Sequence, residues 1–357
     1  MKKILKIFLY NFFVLFFIYL FLFSTNEAYA NTYKIKNIEI SEEYNTNFNK
    51  DEVINRAFIK AYKILIKKIT ISKNHKLLKE QNLKMIKSFV ESFSVLNEKF
   101  ENNKYYGTFE INFNKKNIVS YLRNKNIFHS RMEEKDILFI PVFINLDDDS
   151  LLLFDENPFY KNWIDVEENY FLLKYILQSE DLDDYKLIKD RIDQIENYDF
   201  NEIISKYELN ENFIIFIVFQ DNDSFKTFSK FNVNTIKSNF KLEFKKFNFD
   251  KEEKIKKLIK SMKIRYDDEW KKINLINSSI KLNIQLNIDS KNIAFIEKIE
   301  KIINEVELIE NYFISFFDNE ISRYTILSNS TPDKLIKEFN KYNIKVSIEN
   351  NIWTLYE

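Results

Sequence analysis

Cysteine is absent from this chain of 357 residues, and glycine occurs once. Without cysteine there are no disulfides, no thiolate metal ligands and no cysteine nucleophile. Phosphate-binding loops and the G-x-S-x-G elbow of serine hydrolases both need several glycines. The sequence therefore excludes these motifs, and we predict no bound cofactor. The single glycine, Gly107, is expected inside a strand, where it marks a bulge or a close backbone approach.

Histidine is scarce as well, with only His75 and His129 in the sequence. They do not form an H-E-x-x-H zinc motif, and we expect each in a loop or at the surface. Aspartate and glutamate are so numerous that no glycosidase-type pair stands out. We therefore predict no catalytic residue, and keep an envelope hydrolase with an Asp/Glu pair as an alternative.

Neither sign of charge is in excess, because 54 Lys and Arg residues balance 54 Asp and Glu residues. Proteins that bind nucleic acid carry a basic excess or a basic face. Here Lys and Glu are interleaved, which argues against a nucleic-acid partner. The chain is 17% aromatic, which suffices for a sizeable core. The excess of Lys, Asn, Ile, Phe and Tyr is typical of AT-rich codon usage, so we expect most Phe in the core.

The N-terminus has the pattern of a bacterial export signal. Three lysines precede a nearly unbroken apolar run from Ile7 to Phe23, and small residues follow. Signal peptidase requires such residues beside its cleavage point. The lysines are Lys2, Lys3 and Lys6, and the cleavage residues are Ala28, Ala30 and Asn31.

Two fates of this segment remain open. Cleavage of residues 1–30 would release a periplasmic protein that begins at Asn31. The apolar run also approaches membrane-spanning length, so an uncleaved anchor in the inner membrane is the alternative. Membrane contact is expected only if residues 7–23 are retained.

The periodicity of the mature chain predicts an α+β protein. Residues 31–145 have the order strand, helices, strand, strand, helix, strand, which is a split-βαβ (ferredoxin-like) pattern that ends with a buried strand at 137–144. Residues 146–275 form an α/β middle segment, with a central strand at Phe213–Phe219. Residues 276–357 repeat the ferredoxin-like order of elements, with a hairpin of Tyr312–Phe317 and Ile321–Leu327.

One acidic segment has ligand spacing similar to that of an EF-hand. Asn145, Asp147, Asp149 and Glu156 match four ligand positions, but Ser150 replaces the required glycine. The flanking segments are predicted strands, not helices. We therefore interpret the segment as an acidic hairpin turn and predict no metal site.

The most distinctive local cluster is Asn157, Pro158 and Phe159, followed by Trp163. An exposed cluster of this kind would form an apolar contact patch. A packed turn with its aromatic residues anchored in the core is the alternative.

The order of several short motifs resembles the bacterial family called domain of unknown function 2066. The resemblance spans most of residues 31–357, with departures such as Phe159 where the family usually has Trp. It implies export and this architecture, and no activity. The matching segments are Arg56–Thr70, Tyr105–Phe109, Ile137–Val142, Asn157–Trp163 and Trp353–Leu355.

These observations favour a non-catalytic protein of the bacterial cell envelope. We expect it to act by binding another envelope protein or as an accessory in assembly. A membrane-tethered interaction module is an alternative if the N-terminal segment is retained.

Mass spectrometry of the native protein tests the export prediction. We expect a mature N-terminus at Asn31, because the small residues before it fit signal peptidase. An intact Met1 on a membrane-bound chain would indicate the anchor. A soluble intracellular chain that keeps Met1 would contradict export.

Overall fold

The computed structural model describes residues 32–78, 81–234, 236–247, 249, 251–277 and 280–357. The predicted signal segment, with Ala28, Ala30 and Asn31, lies outside these residues. In the part of the chain that is described, no helix is both long and apolar enough to cross a membrane.

The chain divides into two compact units. The N-terminal unit contains residues 34–113 and 117–279, and the C-terminal unit contains residues 280–357 with short segments at 32–33 and 114–116. Both combine helices with sheets, so the α+β class is correct.

The first part of the chain builds a three-stranded sheet beside helices. Its elements are β1 (Thr32–Glu43), α1 (Lys50–Ile69), α2 (His75–Leu78), α3 (Leu83–Phe89), β2 (Val90–Glu101), β3 (Lys104–Asn114), α4 (Lys115–Asn124) and β4 (His129–Ser130). The strand order is β1-β3-β2.

Helix α1 forms where its sequence supplies both a cap and an apolar stripe. The Asn49 side chain accepts a hydrogen bond from the Asp51 backbone N–H (2.9 Å), which satisfies one of the free donors at the helix start. Lys67 and Lys68 lie in the last turn, where positive charge is favourable. The apolar face is buried and positions the helix on the core.

Gly107 lies in β3, in regular register with Glu98, so no bulge occurs at this position. A Cβ atom there would lie 2.7 Å from the Tyr105 hydroxyl and 2.8 Å from the Phe109 ring. Both aromatic side chains are fully buried. The sequence predicts that another part of the backbone comes close to Gly107, but in the structure the side chains of Tyr105 and Phe109 occupy that space.

The next part of the chain builds a six-stranded sheet. Its elements are β5 (Lys135–Asn145), β6 (Ser150–Leu152), α5 (Pro158–Trp163), β7 (Leu173–Leu177), α6 (Leu182–Lys189), α7 (Asn201–Ile204), β8 (Asn212–Asp221), β9 (Ser224–Val233), β10 (Ile236–Phe244), α8 (Glu252–Ile273) and β11 (Leu275–Ile276). The order is β10-β9-β8-β5-β6, with β7 also paired to β5.

The predicted place of the strand at 137–144 in the N-terminal sheet is wrong. This strand, β5, runs parallel to β7 and β8 inside the six-stranded sheet. It is buried on both faces, and a strand of that kind needs neighbours on both sides and a layer on each face. The short three-stranded sheet does not offer these. Strand β8 is central and buried, as predicted for Phe213–Phe219.

The C-terminal unit contains β12 (Leu282–Asp289), α9 (Ile293–Glu305), β13 (Ile309–Phe317), β14 (Ile321–Ser328), α10 (Pro332–Lys341), β15 (Lys345–Glu349) and β16 (Ile352–Tyr356). Its five strands have the order β13-β14-β12-β16-β15. Strand β12 is antiparallel to β14 and parallel to β16. Strand β13 therefore forms one edge of this sheet, and β15 forms the other.

Substitution Gly107→Ala tests the packing of β3. We expect a loss of about 1–3 kcal/mol of unfolding free energy, because overpacking a buried site costs that much. This exceeds the gain of about 0.4–1 kcal/mol from a stiffer unfolded chain. Chemical denaturation measures the change, with the neighbouring Thr108→Ala, on the opposite strand face, as control. An unchanged or higher midpoint for Gly107→Ala would contradict the contact.

Candidate functional site

The predicted contact patch at residues 157–163 is mostly buried. Asn157, Phe159 and Trp163 have no exposed surface, and Pro158 is half-buried. The prediction of an exposed apolar patch is therefore wrong for three of its four residues. The arrangement matches the alternative, a packed turn.

Asn157 organises this turn through its side-chain amide. Its Nδ2 atom donates to the Pro141 carbonyl of β5 (3.1 Å), and its Oδ1 atom accepts from the Phe159 N–H (2.9 Å). It thus caps α5 and attaches the helix to the central strand. Trp163 then stacks on Phe139, with ring centroids 3.7 Å apart. These residues hold the core of the N-terminal unit together.

The acidic segment after β5 uses its oxygens within a turn. The Asn145 Oδ1 atom accepts from the Asp147 N–H (3.0 Å), and the Asp147 carboxylate accepts from the Asn222 N–H (3.0 Å). Asp148 accepts from the Ser150 N–H (3.1 Å). Hydrogen bonding with the Ser150 side chain, and secondly with its backbone, lowers the pKa of the Asp148 carboxyl. Over the described ranges, no group of three or more His, Asp or Glu side chains is placed to hold a metal ion.

The two histidines occupy different environments. His75 is half-buried, and its Nε2 atom lies 3.1 Å from the Thr70 carbonyl. Burial lowers the pKa of this imidazole. His129 is buried in β4, so its predicted place in a loop or at the surface is wrong.

A cleft of the N-terminal unit has a volume of about 630 Å³ and is lined by three glutamates. Glu134 lies 3.4 Å from the Lys68 ammonium and 3.9 Å from that of Lys174. Glu168 pairs with Lys260. Lysines thus pair with two of the three glutamates that line the cleft, Glu134 and Glu168.

Edge strand β13 exposes a cluster of large apolar side chains. Four of its apolar residues are about half exposed or more, which is unusual for such large side chains. We call them the β13 edge surface: Phe313 (59% exposed), Ile314 (54%), Phe316 (48%) and Phe317 (67%).

These side chains lie on both faces of the sheet, and a break in strand register determines which of them share a face. Phe313 pairs with Thr325 and Phe316 with Arg323, while Ser315 lies in a register shift between them. Ile314 and Phe317 pair with the buried residues of β14 and so point to the opposite face. Because successive residues of a strand point to opposite faces, the edge offers apolar side chains above and below its backbone.

Contacts with helix α9 anchor the strand upstream of this surface. The Asn304 side chain donates to the Tyr312 hydroxyl (3.1 Å), and the Tyr324 hydroxyl donates to Glu300 (2.6 Å). All four residues of the β13 edge surface follow Tyr312 in the chain. The surface is thus presented by a strand that is fixed at its beginning.

Other sheet edges carry the features that usually prevent pairing with another chain. Strand β15 has five residues and carries Lys345 and Glu349. The β2 edge also exposes Phe93, Leu96 and Phe100, but it carries four charged residues, Glu91, Glu98, Lys99 and Glu101. The single charge of β13 is Glu310, which pairs with Lys281. Strand β13 therefore lacks the charged residues that protect an edge.

The turn after β13 is fixed by Asp318. Its Oδ1 atom accepts hydrogen bonds from the backbone N–H groups of Glu320 (2.8 Å) and Ile321 (2.7 Å). These bonds hold the pKa of the Asp318 carboxyl below its usual value. The hairpin, and with it the end of the β13 edge surface, is positioned by this carboxylate.

Sequence patterns predict the hairpin but do not reveal the surface. The apolar run of β13 occupies both odd and even positions of the strand, which is typical of a strand buried on both faces. Only the sheet order places this run at an edge. A search of protein-family models and a search of curated proteins each found no match to the chain.

The Asp318 turn makes a pH-dependent contribution to hairpin order. The pKa of the Asp318 carboxyl is lower in the folded protein than its usual value of 3.8. The ionised carboxylate therefore stabilises the turn fully above pH 3.8, and this stabilisation is lost as the pH falls through the lower pKa of the folded protein. NMR titration of the Glu320 and Ile321 amides should show a midpoint below 3.8. The Asp318→Ala variant should lack this titration. A midpoint at or above the usual value would contradict the contact.

Proposed function

We propose that this chain is an exported protein of the bacterial cell envelope that acts without catalysis, by binding another envelope protein at the β13 edge surface. The observation that carries the binding site is an edge strand with four large exposed apolar side chains and a single charged residue. The export pattern of the N-terminus supports the compartment.

The proposed binding mode is strand addition. Strand β13 pairs with β14 on one side, so its backbone groups on the other side are free to pair with an extended segment of a partner. The flanking side chains then cover the partner strand on both faces. Full burial of a large apolar side chain contributes about 1.5–3 kcal/mol, so the remaining half of each contributes roughly 1 kcal/mol.

We further propose that the C-terminal unit is a ferredoxin-like module with one additional strand. Strands β12 and β13, joined by α9, lie on either side of β14, as in a split βαβ unit. The hairpin of β15 and β16 adds the extra strand, and the parallel pairing of β16 to β12 is the departure. The resemblance to the family called domain of unknown function 2066 belongs to the same proposal.

Site-specific photocrosslinking in intact cells tests the proposed interface. A benzophenone side chain at Phe317 should give a discrete crosslink to one envelope protein, because this position would lie against the added strand. The matched control is Ile293, which is equally exposed (68%) in helix α9 of the same unit.

The Phe313→Lys variant separates strand addition from general stickiness. A charged residue on an edge strand opposes pairing, so the crosslink from position 317 should fall at least tenfold while the melting temperature stays unchanged. A crosslink that persists in the variant, or one that joins only two copies of this chain, would contradict the proposal.

A further inference from the structure

Helix α8 carries two buried lysines with different surroundings. Lys271 and Lys263 have exposed fractions of 2% and 3%. The Lys271 ammonium lies 2.7 Å from the Asp267 carboxylate, which is itself buried and accepts from the Leu172 N–H (2.7 Å). The charge of Lys271 is therefore matched inside the core.

Lys263 has no such partner. Among the described residues, no carboxylate lies within ion-pair distance of its ammonium group, which donates one hydrogen bond, to the Val166 carbonyl (2.8 Å). Its Nζ atom lies 4.7 Å from the centroid of the Tyr175 ring and 5.4 Å from that of Trp163. Two aromatic faces and one carbonyl offset only part of the cost of burying a charge.

This ammonium lines a cavity of about 180 Å³. At roughly 30 Å³ per water molecule, that space would hold about six waters or one short organic molecule. Ile164, Phe171 and Leu173 provide apolar walls. The cavity adjoins the larger cleft of the same unit, because Glu167, Glu168 and Lys174 line both, and the cleft gives it a route to solvent.

Two aromatic residues that contact Lys263 also carry polar groups that lack a partner in the described part of the chain. The Tyr175 hydroxyl and the Trp163 indole N–H are buried, and neither has a hydrogen-bond partner among the residues described. Tyr175 also lines the cavity. Each group can donate a hydrogen bond, as can the remaining protons of Lys263. The cluster therefore offers several donors and one positive charge. Two carboxylates, Glu167 and Glu168, also line the cavity, and Glu168 is already paired with Lys260.

We propose that this cavity binds a small carboxylate with a short apolar body, and that the Lys263 ammonium is its counter-ion. A carboxylate accepts several hydrogen bonds and neutralises the buried charge, while the apolar walls cover the rest of the ligand. Burial lowers the pKa of Lys263 to about 8, against the opposing effect of Glu167, so the group is still largely protonated at neutral pH. This site is independent of the β13 edge surface.

Titration with sodium butyrate, followed by the indole N–H signal of Trp163 in NMR spectra of the full chain, tests the site. The chain has three tryptophans, so the signal is assigned with a Trp163→Phe variant. We expect a saturable shift with butyrate and none with butanol, which has the same apolar body without the charge.

The variants Lys263→Met and Lys263→Gln remove the charge in two ways. Each should weaken butyrate binding at least tenfold and leave the melting temperature equal or higher, because replacing an unpaired buried charge relieves its desolvation cost. The control Lys257→Met removes an exposed lysine of the same helix and should bind like the parent. Unsaturable shifts, or equal binding in either Lys263 variant, would overturn the proposal.

Discussion

The backbone of an edge strand can form ladder hydrogen bonds with only one neighbour inside its own sheet. In the C-terminal unit this constraint applies to β13, which pairs with β14 on one side alone. Sheets normally protect such edges with charge, proline or short length. Strand β13 has nine residues, one charge that is already paired, and four large exposed apolar side chains. The proposed role in binding follows from that combination.

The N-terminal unit uses its aromatic residues in the opposite way. One face of the six-stranded sheet packs Phe139 and Phe216 against Trp163 of helix α5 and against helix α8. The other face packs aliphatic residues of β5 and β8 against α6 and α7. Asn157 connects the turn before α5 to β5. The same types of residue fill this core and form the exposed run on β13. Their position in the sheet, not their type, therefore decides whether they are buried in a core or exposed on an edge.

Much of the local structure follows from sequence patterns, while sheet membership does not. The buried strand β8 and the β13–β14 hairpin are both predicted, because each depends on neighbours in the chain. The strand at 137–144 is assigned to the wrong sheet, since pairing with β8 joins residues distant in sequence. The same limit explains the error at Phe159 and Trp163, whose burial depends on helix α8 and the sheet. It also explains why Lys263 is not recognised: its lack of a partner is a tertiary property.

Hydrogen–deuterium exchange of the full chain, alone and with solubilised envelope extract, tests the central claim most directly. Strand addition predicts that amides in Ile309–Phe317 exchange more slowly in the presence of the partner, while those in the charged β2 edge, Val90–Glu101, are unchanged. Equal exchange of Ile309–Phe317 under both conditions, or equal slowing at both edges, would contradict a specific interface on β13.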